Sequence, residues 1–230
     1  MVRCFQLRVV VRVGGSVVAS PVDPALIAKY VDLLKDLKKQ GHEVVAVVGG
    51  GVLARDFIKV AGELKLDESS KDWVAIFVSR LVGLLFVMRL GDVGCGSVPV
   101  SLDEAVECLK RGKIVVMGGL KPGMTTDAVA ALVAEKVKAE LLVKATDQDG
   151  IYAKDPRKYP NAKMIDRLGF DDLFRLFDEN KHKAGINQVL DPEAVRVLQK
   201  SRTKTVVVNG FEPKNVLLAV KGKKVGTVIC

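Results

Sequence analysis

Three glycine clusters, each placed directly after an apolar run, are the residues of this sequence best suited to chemistry. They lie in residues 13–18 (VGGSVV), 47–57 (VVGGGVLARDF) and 116–128 (VMGGLKPGMTTDA). Glycine lets backbone N–H groups approach an anion closely, and a helix that follows turns its positive end toward that anion. Such turns converge on one edge of an open parallel sheet, where ligands bind. The three clusters together predict a phosphate-binding site.

Two arginines lie beside these clusters and could add charge to the site. Arg55 follows Gly51 by four residues and could reach back toward a phosphate, although a solvated helix arginine would fit the same position. Arg12 lies inside an apolar run just before Gly14, where a charge needs an anionic partner. We therefore expect Arg12 to face phosphate.

Two phosphate-binding motifs are disfavoured by the residues present. Residues 118–125 have the glycine spacing of a P-loop, but Met124 stands where that motif needs lysine. No G-x-G-x-x-G follows the first apolar run, which disfavours a dinucleotide-binding Rossmann site. A further candidate segment, residues 143–156 (VKATDQDGIYAKDP), has polar residues directly after an apolar run. Its Asp-Gly pair is also typical of a simple hairpin.

Composition and charge narrow the class of protein. The 230 residues are 49% hydrophobic, 27% charged and 5% aromatic, which favours a folded α/β chain over a disordered one. The net charge of +9 would concentrate anionic ligands near the surface. The basic residues are scattered and few aromatics are available for base stacking. We therefore expect a solvated basic face and no nucleic-acid partner.

The cysteines and the first residues bear on the compartment. Cys4, Cys95, Cys108 and Cys230 form no C-x-x-C pair, and two histidines give no ligand spacing for structural zinc. We expect free thiols in a reducing cytoplasm and no metal held by the protein. The apolar stretch at the start is short and interrupted by arginine, so neither a membrane span nor a signal sequence is predicted there.

Apolar periodicity and glycine turns predict alternating strands and helices that would position these residues. Strands are predicted over residues 4–13, 43–48, 113–117, 141–145, 205–208 and 227–229. Helices are predicted over residues 23–40, 53–64, 72–88, 101–111 and 128–138. This alternation predicts a largely parallel sheet with helices on both faces.

Seven segments, taken in order, resemble the archaeal UMP kinases of the amino acid kinase superfamily. They are residues 14–16 (GGS), 47–55 (VVGGGVLAR), 71–73 (KDW), 79–80 (SR), 116–135 (VMGGLKPGMTTDAVAALVAE), 145–156 (ATDQDGIYAKDP) and 183–194 (KAGINQVLDPEA). The resemblance implies a three-layer α/β/α sandwich around a mainly parallel sheet. It implies one domain over residues 1–230, with an acceptor-binding half to about residue 125 and an ATP-binding half beyond it.

The resemblance implies transfer of the γ-phosphoryl group of ATP to UMP, giving UDP and ADP in pyrimidine nucleotide biosynthesis. Mg²⁺ would arrive on the ATP phosphates, and the chains would form a homohexamer built from dimers. Two alternatives stay open: a kinase of the same fold for a small carboxylate or isopentenyl phosphate, and a non-catalytic storage protein that binds nucleotide or oxyanion. An isopentenyl phosphate kinase would be expected to have a histidine soon after the glycine cluster, and residues 49–58 have none.

The resemblance also assigns binding residues by position. On the ATP side it implies contacts from Gly14, Gly15, Ser16, Gly51, Arg55, Thr146, Asp147, Tyr152 and Asp155. On the UMP side it implies Gly50, Asp72, Leu120, Lys121, Pro122, Gly123, Met124, Thr125 and Thr126. Asp72 would accept hydrogen bonds from the ribose hydroxyls.

Phosphoryl transfer needs in-line positioning and charge neutralisation rather than a covalent nucleophile. We expect Arg12 and Lys144 to neutralise charge, and Asp127, at a helix N-terminus, to organise both cations by hydrogen bonding. The acceptor phosphate is already ionised, so no general base is needed.

Four positions depart from the family pattern. Val52 follows the triple glycine where lysine is common, and Val82 stands two residues after Arg80 where asparagine is common. Asp147 puts a carboxylate where an amide is expected beside ATP, and Val82 predicts the loss of a polar contact to UMP. Arg12 occupies the slot where bacterial relatives place lysine, and a planar guanidinium binds phosphate differently from an ammonium group.

Overall fold

A mainly parallel sheet organises the chain, which a computed structural model describes over residues 6–173 and 189–230. The strands are β1 (Arg8–Val13), β2 (Glu43–Val48), β3 (Val115–Met117), β4 (Leu141–Thr146), β5 (Ile151–Tyr152), β6 (Met164–Ile165), β7 (Arg167–Leu168), β8 (Thr205–Asn209) and β9 (Thr227–Ile229). Seven of them form one sheet in the order β3-β2-β1-β4-β8-β9-β7, and β5 and β6 form a separate two-stranded ribbon. Within the large sheet, β8 and β9 pair antiparallel and the other neighbours pair parallel.

Helices cover both faces of this sheet. Those with both ends described are α1 (Gly15–Val18), α2 (Pro24–Lys39), α3 (Gly51–Glu63), α4 (Glu68–Leu90), α5 (Leu102–Lys110), α6 (Thr126–Val137), α7 (Pro192–Ser201) and α8 (Lys214–Val220). Side-chain caps fix several starts: Asp23 accepts from the backbone N–H of Leu26 before α2, and Ser101 accepts from that of Glu104 before α5. Aspartate and serine are preferred N-cap residues, so the residue types themselves favour helix starts at these positions.

Alternate residues of β1 pack into two hydrophobic cores, one on each side of the sheet. Val11 belongs to the core shared with α2, and Val10 belongs to the core shared with α6. Because side chains alternate along a strand, Arg12 lies on the Val10 face. Leu142 of β4 also packs in the core shared with α6. Lys144 is two residues later on the same strand and therefore lies on the same face. Both cations therefore face α6.

The predicted α/β sandwich around a mainly parallel sheet is confirmed, and the strands predicted over residues 43–48 and 227–229 match β2 and β9 residue for residue. Helix α4 begins four residues earlier than predicted, where Asp67 caps it. The sequence reading did not include α1, α7, α8 or β5–β7. These elements have seven residues or fewer, except α7, which is separated by three residues from residues 174–188, the segment outside the described part of the chain.

The expectation of free thiols is wrong for two of the four cysteines. Cys95 and Cys108 form a disulfide with their Cα atoms 5.6 Å apart. The Cys95 backbone N–H donates to the carbonyl of Ile114, just before β3, while α5 brings Cys108 to the same place. Tertiary structure makes this pair, because a spacing of 13 residues carries no signature of its own. Cys230 is an exposed free thiol, and Cys4 lies outside the described residues.

Candidate active site

Asp127 lies between two buried cations at the start of α6. Its Oδ1 is 2.6 Å from Arg12 Nε, and its Oδ2 accepts a hydrogen bond from Lys144 Nζ. The contact between Arg12 Nε and Asp127 Oδ1 is an ion pair without a hydrogen bond. Arg12 Nη2 also donates to Thr126 Oγ1 at 2.8 Å. The three side chains predicted to be catalytic therefore form one network.

Burial and charge set the protonation of this network. Burial opposes ionisation of Asp127, but the charges of Arg12 and Lys144 outweigh it and hold the Asp127 pKa below its usual value. Burial lowers the pKa of Lys144, and the Asp127 carboxylate opposes that shift. Lys144 is only 4% exposed, so its ammonium depends on this carboxylate for compensation.

The first two glycine turns pack backbone against backbone beside the network. A Cβ on Gly15 would lie 2.2 Å from the Gly51 nitrogen, and one on Gly51 would lie 2.2 Å from the Ala19 carbonyl oxygen. Gly51 also has φ +60°, which favours glycine. Ser20 ties the turns together, because its hydroxyl donates to the Gly15 carbonyl and accepts from the Val52 N–H. Glycine is required here for the close approach of the two turns.

A polar cavity of about 420 Å³, here called the larger cavity, opens between these turns and the network. Three arginines and a lysine contribute to it, which makes it suited to a polyanion. It is lined by Arg12, Gly15, Ser16, Gly49, Gly50, Gly51, Arg55, Thr126, Asp127, Lys144, Thr146, Asp147, Gln148 and Arg157.

A second cavity of about 180 Å³, here called the smaller cavity, lies between α3, α4 and the loop before α6. Its lining is more apolar, with one carboxylate from Asp72 and one ammonium from Lys121. It is lined by Gly50, Ala54, Asp72, Ala75, Ile76, Ser79, Gly119, Lys121, Met124, Thr125 and Thr126. Gly50 and Thr126 line both cavities, so the two spaces adjoin at the Arg12–Asp127–Lys144 network.

Helix α4 holds the loop that closes the smaller cavity. Asp72 Oδ2 accepts from the Gly123 N–H at 2.7 Å. Arg80 donates from Nε to the Gly119 carbonyl and from Nη2 to the Leu120 carbonyl. Ser79 Oγ accepts from the Gly119 N–H at 2.8 Å. These contacts give the KDW and SR segments a structural role in shaping the cavity.

Most residues predicted for the ATP side line the larger cavity, but three do not. Gly14 donates its N–H to the Ala145 carbonyl within the sheet edge. Tyr152 donates to Asp149 at 3.4 Å, and Asp155 is buried with its carboxylate accepting the Arg157 N–H. Gly14 precedes the lining residue Gly15, and Asp155 holds the backbone of the lining residue Arg157.

The residues predicted for the UMP side divide in the same way. Gly50, Asp72, Lys121, Met124, Thr125 and Thr126 line the smaller cavity, and Leu120, Pro122 and Gly123 do not. Val82 packs in the hydrophobic core at 1% exposure, and Val52 lines neither cavity. The loss of a polar contact to UMP at Val82 stays a prediction; in the structure this side chain points into the core and lines neither cavity.

The sequence did not predict two residues that shape the site: Arg157, which lines the larger cavity, and Asp191, which lines neither cavity. Arg157 pairs with Asp147 at the rim of the larger cavity, with 2.6 Å between Nη2 and Oδ2. Asp191 caps α7 and accepts from the Thr125 hydroxyl, which joins the end of the loop before α6 to the C-terminal half. The basic run after Asp155 was the available signal for Arg157, and nothing in its spacing says where the guanidinium points.

The chain belongs to the amino acid kinase family, whose pattern matches residues 7–209. Uridylate kinases from several archaea match nearly the whole chain. The uridylate kinase of Methanocaldococcus jannaschii is 42% identical over 97% of this chain and 99% of its own length. That of Thermococcus kodakarensis is 38% identical over 97% and 99%.

Solved structures agree with these relatives. The uridylate kinase of Archaeoglobus fulgidus is 38% identical and superposes with a TM-score of 0.89, covering 97% of this chain and 100% of the other. The UMP kinase of Bacillus anthracis, at 23% identity and a TM-score of 0.81 over 96% and 95%, shares the fold. The resemblance found in the sequence is confirmed.

Proposed function

We propose that this chain is a UMP kinase, which transfers the γ-phosphoryl group of ATP to UMP to give UDP and ADP in pyrimidine nucleotide biosynthesis. The observation that carries the proposal is the meeting of two cavities at Gly50 and Thr126, directly beside three charged side chains. The larger, polycationic cavity suits a triphosphate, and the smaller one suits a nucleoside monophosphate. Near-full-length similarity to uridylate kinases supports the same acceptor.

On the donor side, the backbone N–H groups of Gly15 and Gly51 would hold the ATP phosphates together with Ser16 and Arg55. Thr146 would lie toward adenosine, with Tyr152 and Asp155 behind it, and Asp147 would lie at the rim, where the nucleoside meets the phosphates. Glycine is needed at the two turns because any side chain would meet backbone atoms. The charge on Arg55 would then add to phosphate binding from the rim.

On the acceptor side, Asp72 would exchange its hydrogen bond from Gly123 for the ribose hydroxyls of UMP. Lys121, Met124, Thr125 and Thr126 would enclose the nucleotide, with Leu120 and Pro122 shaping the loop. The UMP phosphate would then point toward Gly50, at the boundary of the two cavities. That orientation puts an ionised oxygen in line with the γ-phosphorus, and no general base is required.

Arg12 and Lys144 would neutralise the charge that develops on the transferred group. Asp127 keeps both cations in fixed positions through the two contacts described above. Preorganised cations in a site that excludes water need no rearrangement when the reaction occurs. The side chains of this network therefore serve the transition state more than the binding of either nucleotide.

Mg²⁺ would enter with ATP and shield its phosphates. In the described part of the chain, no group of three or more His, Cys, Asp or Glu side chains could hold a metal ion. Asp127 is already engaged by two cations. A metal carried by phosphate oxygens fits this arrangement better than one held by protein ligands.

We also propose that the chains assemble as a homohexamer built from dimers. Residues on the outer faces of α3 and α4 form an exposed apolar surface, here called the α3–α4 face: Phe57, Val60, Leu64, Trp73, Phe77, Leu81, Leu85 and Met88. Helix α4 with the turn after it, Glu68–Val93, is long and apolar enough to cross a membrane by length and composition. Packing against a second copy would cover the same face without a membrane.

We propose a cytoplasmic location for the protein. We also propose that the domain has an acceptor-binding half up to about residue 125 and an ATP-binding half beyond it. Arg12, Gly15 and Gly51 line the donor cavity from the first half of the chain. The halves would therefore share the donor phosphates, with the second half supplying the nucleoside contacts.

The experiment is an assay of the purified protein with ATP-Mg²⁺ and a panel of acceptors: UMP, CMP, AMP, isopentenyl phosphate, acetylglutamate and aspartate. We expect UDP formation with a kcat/KM for UMP at least ten times that for any other acceptor, on the order of 1.4 kcal/mol of discrimination. Turnover with isopentenyl phosphate or a carboxylate in preference to UMP would replace the proposed acceptor. Tight ATP binding with no turnover on any acceptor would point to a storage protein.

A further inference from the structure

The rim of the larger cavity carries an ion pair that the proposed chemistry does not explain. Arg157 Nη2 lies 2.6 Å from Asp147 Oδ2, and both residues line the cavity. Asp147 directly follows the last residue of β4 and also accepts from the Thr146 hydroxyl at 3.2 Å. The carboxylate is thus fixed at the opening through which a nucleotide would enter.

A carboxylate at this position opposes the binding of a polyphosphate. Like charges in a partly dehydrated site repel strongly, and this repulsion grows with the number of phosphates on the ligand. Asp147 is about one-third exposed, with 31% of its side-chain surface accessible, so solvent screens its charge only in part. A cation held beside it would remove most of the repulsion.

The turn at residues 155–159 holds Arg157 in the position from which it contacts Asp147. The Arg157 backbone N–H donates to Asp155 Oδ1 at 3.0 Å, and Asp155 is 4% exposed. The N–H groups of Lys158 and Tyr159 donate to the Asp155 carbonyl at 3.1 and 2.9 Å. The turn is therefore closed by three hydrogen bonds to one buried residue, and it directs the guanidinium across the rim to Asp147.

The other cations of the larger cavity cannot take over this role. Arg12 and Lys144 both contact Asp127, on the inner side of the cavity. Arg55 extends from α3, and within residues 6–173 and 189–230 it forms no ion pair. Among the described residues, Arg157 is the cation that neutralises Asp147.

We propose that Arg157 is a specificity residue of the donor site, which neutralises Asp147 and so allows the cavity to accept the phosphate chain of ATP or ADP. Adenosine carries no charge and should bind independently of Arg157. The inference rests on the proposed function, because it takes ATP as the donor. Arg157 acts through Asp147, so removing both should cost less than removing the arginine alone.

The test measures ADP and adenosine affinities by calorimetry for the wild type, Arg157→Ala, Asp147→Asn and the double variant. Arg157→Ala should weaken ADP binding about tenfold, because an uncompensated carboxylate then faces the phosphates. The same variant should bind adenosine within about twofold of wild type, a difference of roughly 0.4 kcal/mol. Asp147→Asn and the double variant should each lose less ADP affinity than Arg157→Ala, because neither leaves an unpaired carboxylate at the rim. Lys158→Ala is the matched control, since Lys158 lies in the same turn but not on the cavity.

Three results would overturn this inference. Unchanged ADP affinity in Arg157→Ala would show that the pair is inert, and an equal loss of ADP and adenosine would show that the turn itself has collapsed. A double variant as weak as Arg157→Ala would mean that the arginine binds phosphate directly. The proposed function is judged separately, since wild type that binds ADP but does not phosphorylate UMP refutes that function alone. Wild type that does not bind ADP refutes both.

Discussion

Arg12 of β1 and Lys144 of β4 are register partners on adjacent parallel strands, and both contact the carboxylate of Asp127. The sheet fixes their backbones side by side, while α6 brings the carboxylate across from its first turn. Two cations with one shared anion leave a net positive charge at the boundary of the two cavities. That charge is available to a phosphoryl group in transit.

The first prediction concerns Arg12 and separates catalysis from binding. Arg12→Ala should lower kcat about a hundredfold or more, roughly 2.7 kcal/mol, with little change in the KM for either nucleotide. Arg12→Lys keeps the charge but changes its geometry, so it should recover only part of the rate. Arg8→Ala is the control on the same strand, because Arg8 pairs with Glu43 outside both cavities. Near-normal turnover in Arg12→Ala would make Arg12 structural and Lys144 the leading catalytic cation.

The second prediction concerns the stability that the buried network requires. Asp127→Asn leaves Lys144 and Arg12 without their carboxylate, which should lower the free energy of unfolding by about 3–5 kcal/mol. Adding Lys144→Met should restore much of that stability and none of the activity. Asp103→Asn is the control, since its pair with Lys136 is exposed and contributes about 1 kcal/mol at most. Urea titrations that find Asp127→Asn as stable as wild type would refute the coupling.

The third prediction concerns pH and His42, which is 4% exposed and accepts the Leu7 N–H on its Nδ1. Burial lowers the pKa of His42, so the folded state favours the neutral ring. Its contribution to stability is fully present above the unfolded-state pKa of about 6.5 and is lost as the pH falls through the lower folded-state pKa.

His42→Asn, which keeps an acceptor for Leu7, should therefore flatten the dependence of unfolding free energy on pH from about pH 7.5 to pH 5. The comparison uses urea titrations of both proteins across that range. Identical slopes in the two proteins would mean that His42 does not sense pH.

The fourth prediction concerns the α3–α4 face. Phe77 is 62% exposed and belongs to this face. Phe77→Glu should therefore disrupt the contact between two copies. Light scattering should report a smaller assembly for this variant than for wild type. Phe211→Glu is the control, since Phe211 is 50% exposed in the loop between β8 and α8 and does not belong to the α3–α4 face. A wild-type monomer would refute the proposed assembly outright.

The sequence predicts the parts of the site that local rules control. The glycine clusters end apolar strands, and period-two alternation puts Arg12 and Lys144 on one face, so the catalytic network follows from strand geometry. It does not predict contacts that depend on how distant segments pack. The Arg157 guanidinium reaches Asp147 through a turn whose hydrogen bonds are set by a buried aspartate, and Cys95 meets Cys108 through tertiary structure.

The meeting of the donor and acceptor cavities at Gly50 and Thr126 is tested most directly by a bisubstrate ligand, adenosine and uridine joined through five phosphates. Inhibition kinetics should find this compound competitive against both ATP and UMP. Asp72→Ala should weaken it by about 1.5–3 kcal/mol through its uridine end, as one charge-assisted hydrogen bond is lost. Competition against ATP alone, with UMP binding undisturbed, would contradict the proposal that phosphoryl transfer crosses from one cavity to the other.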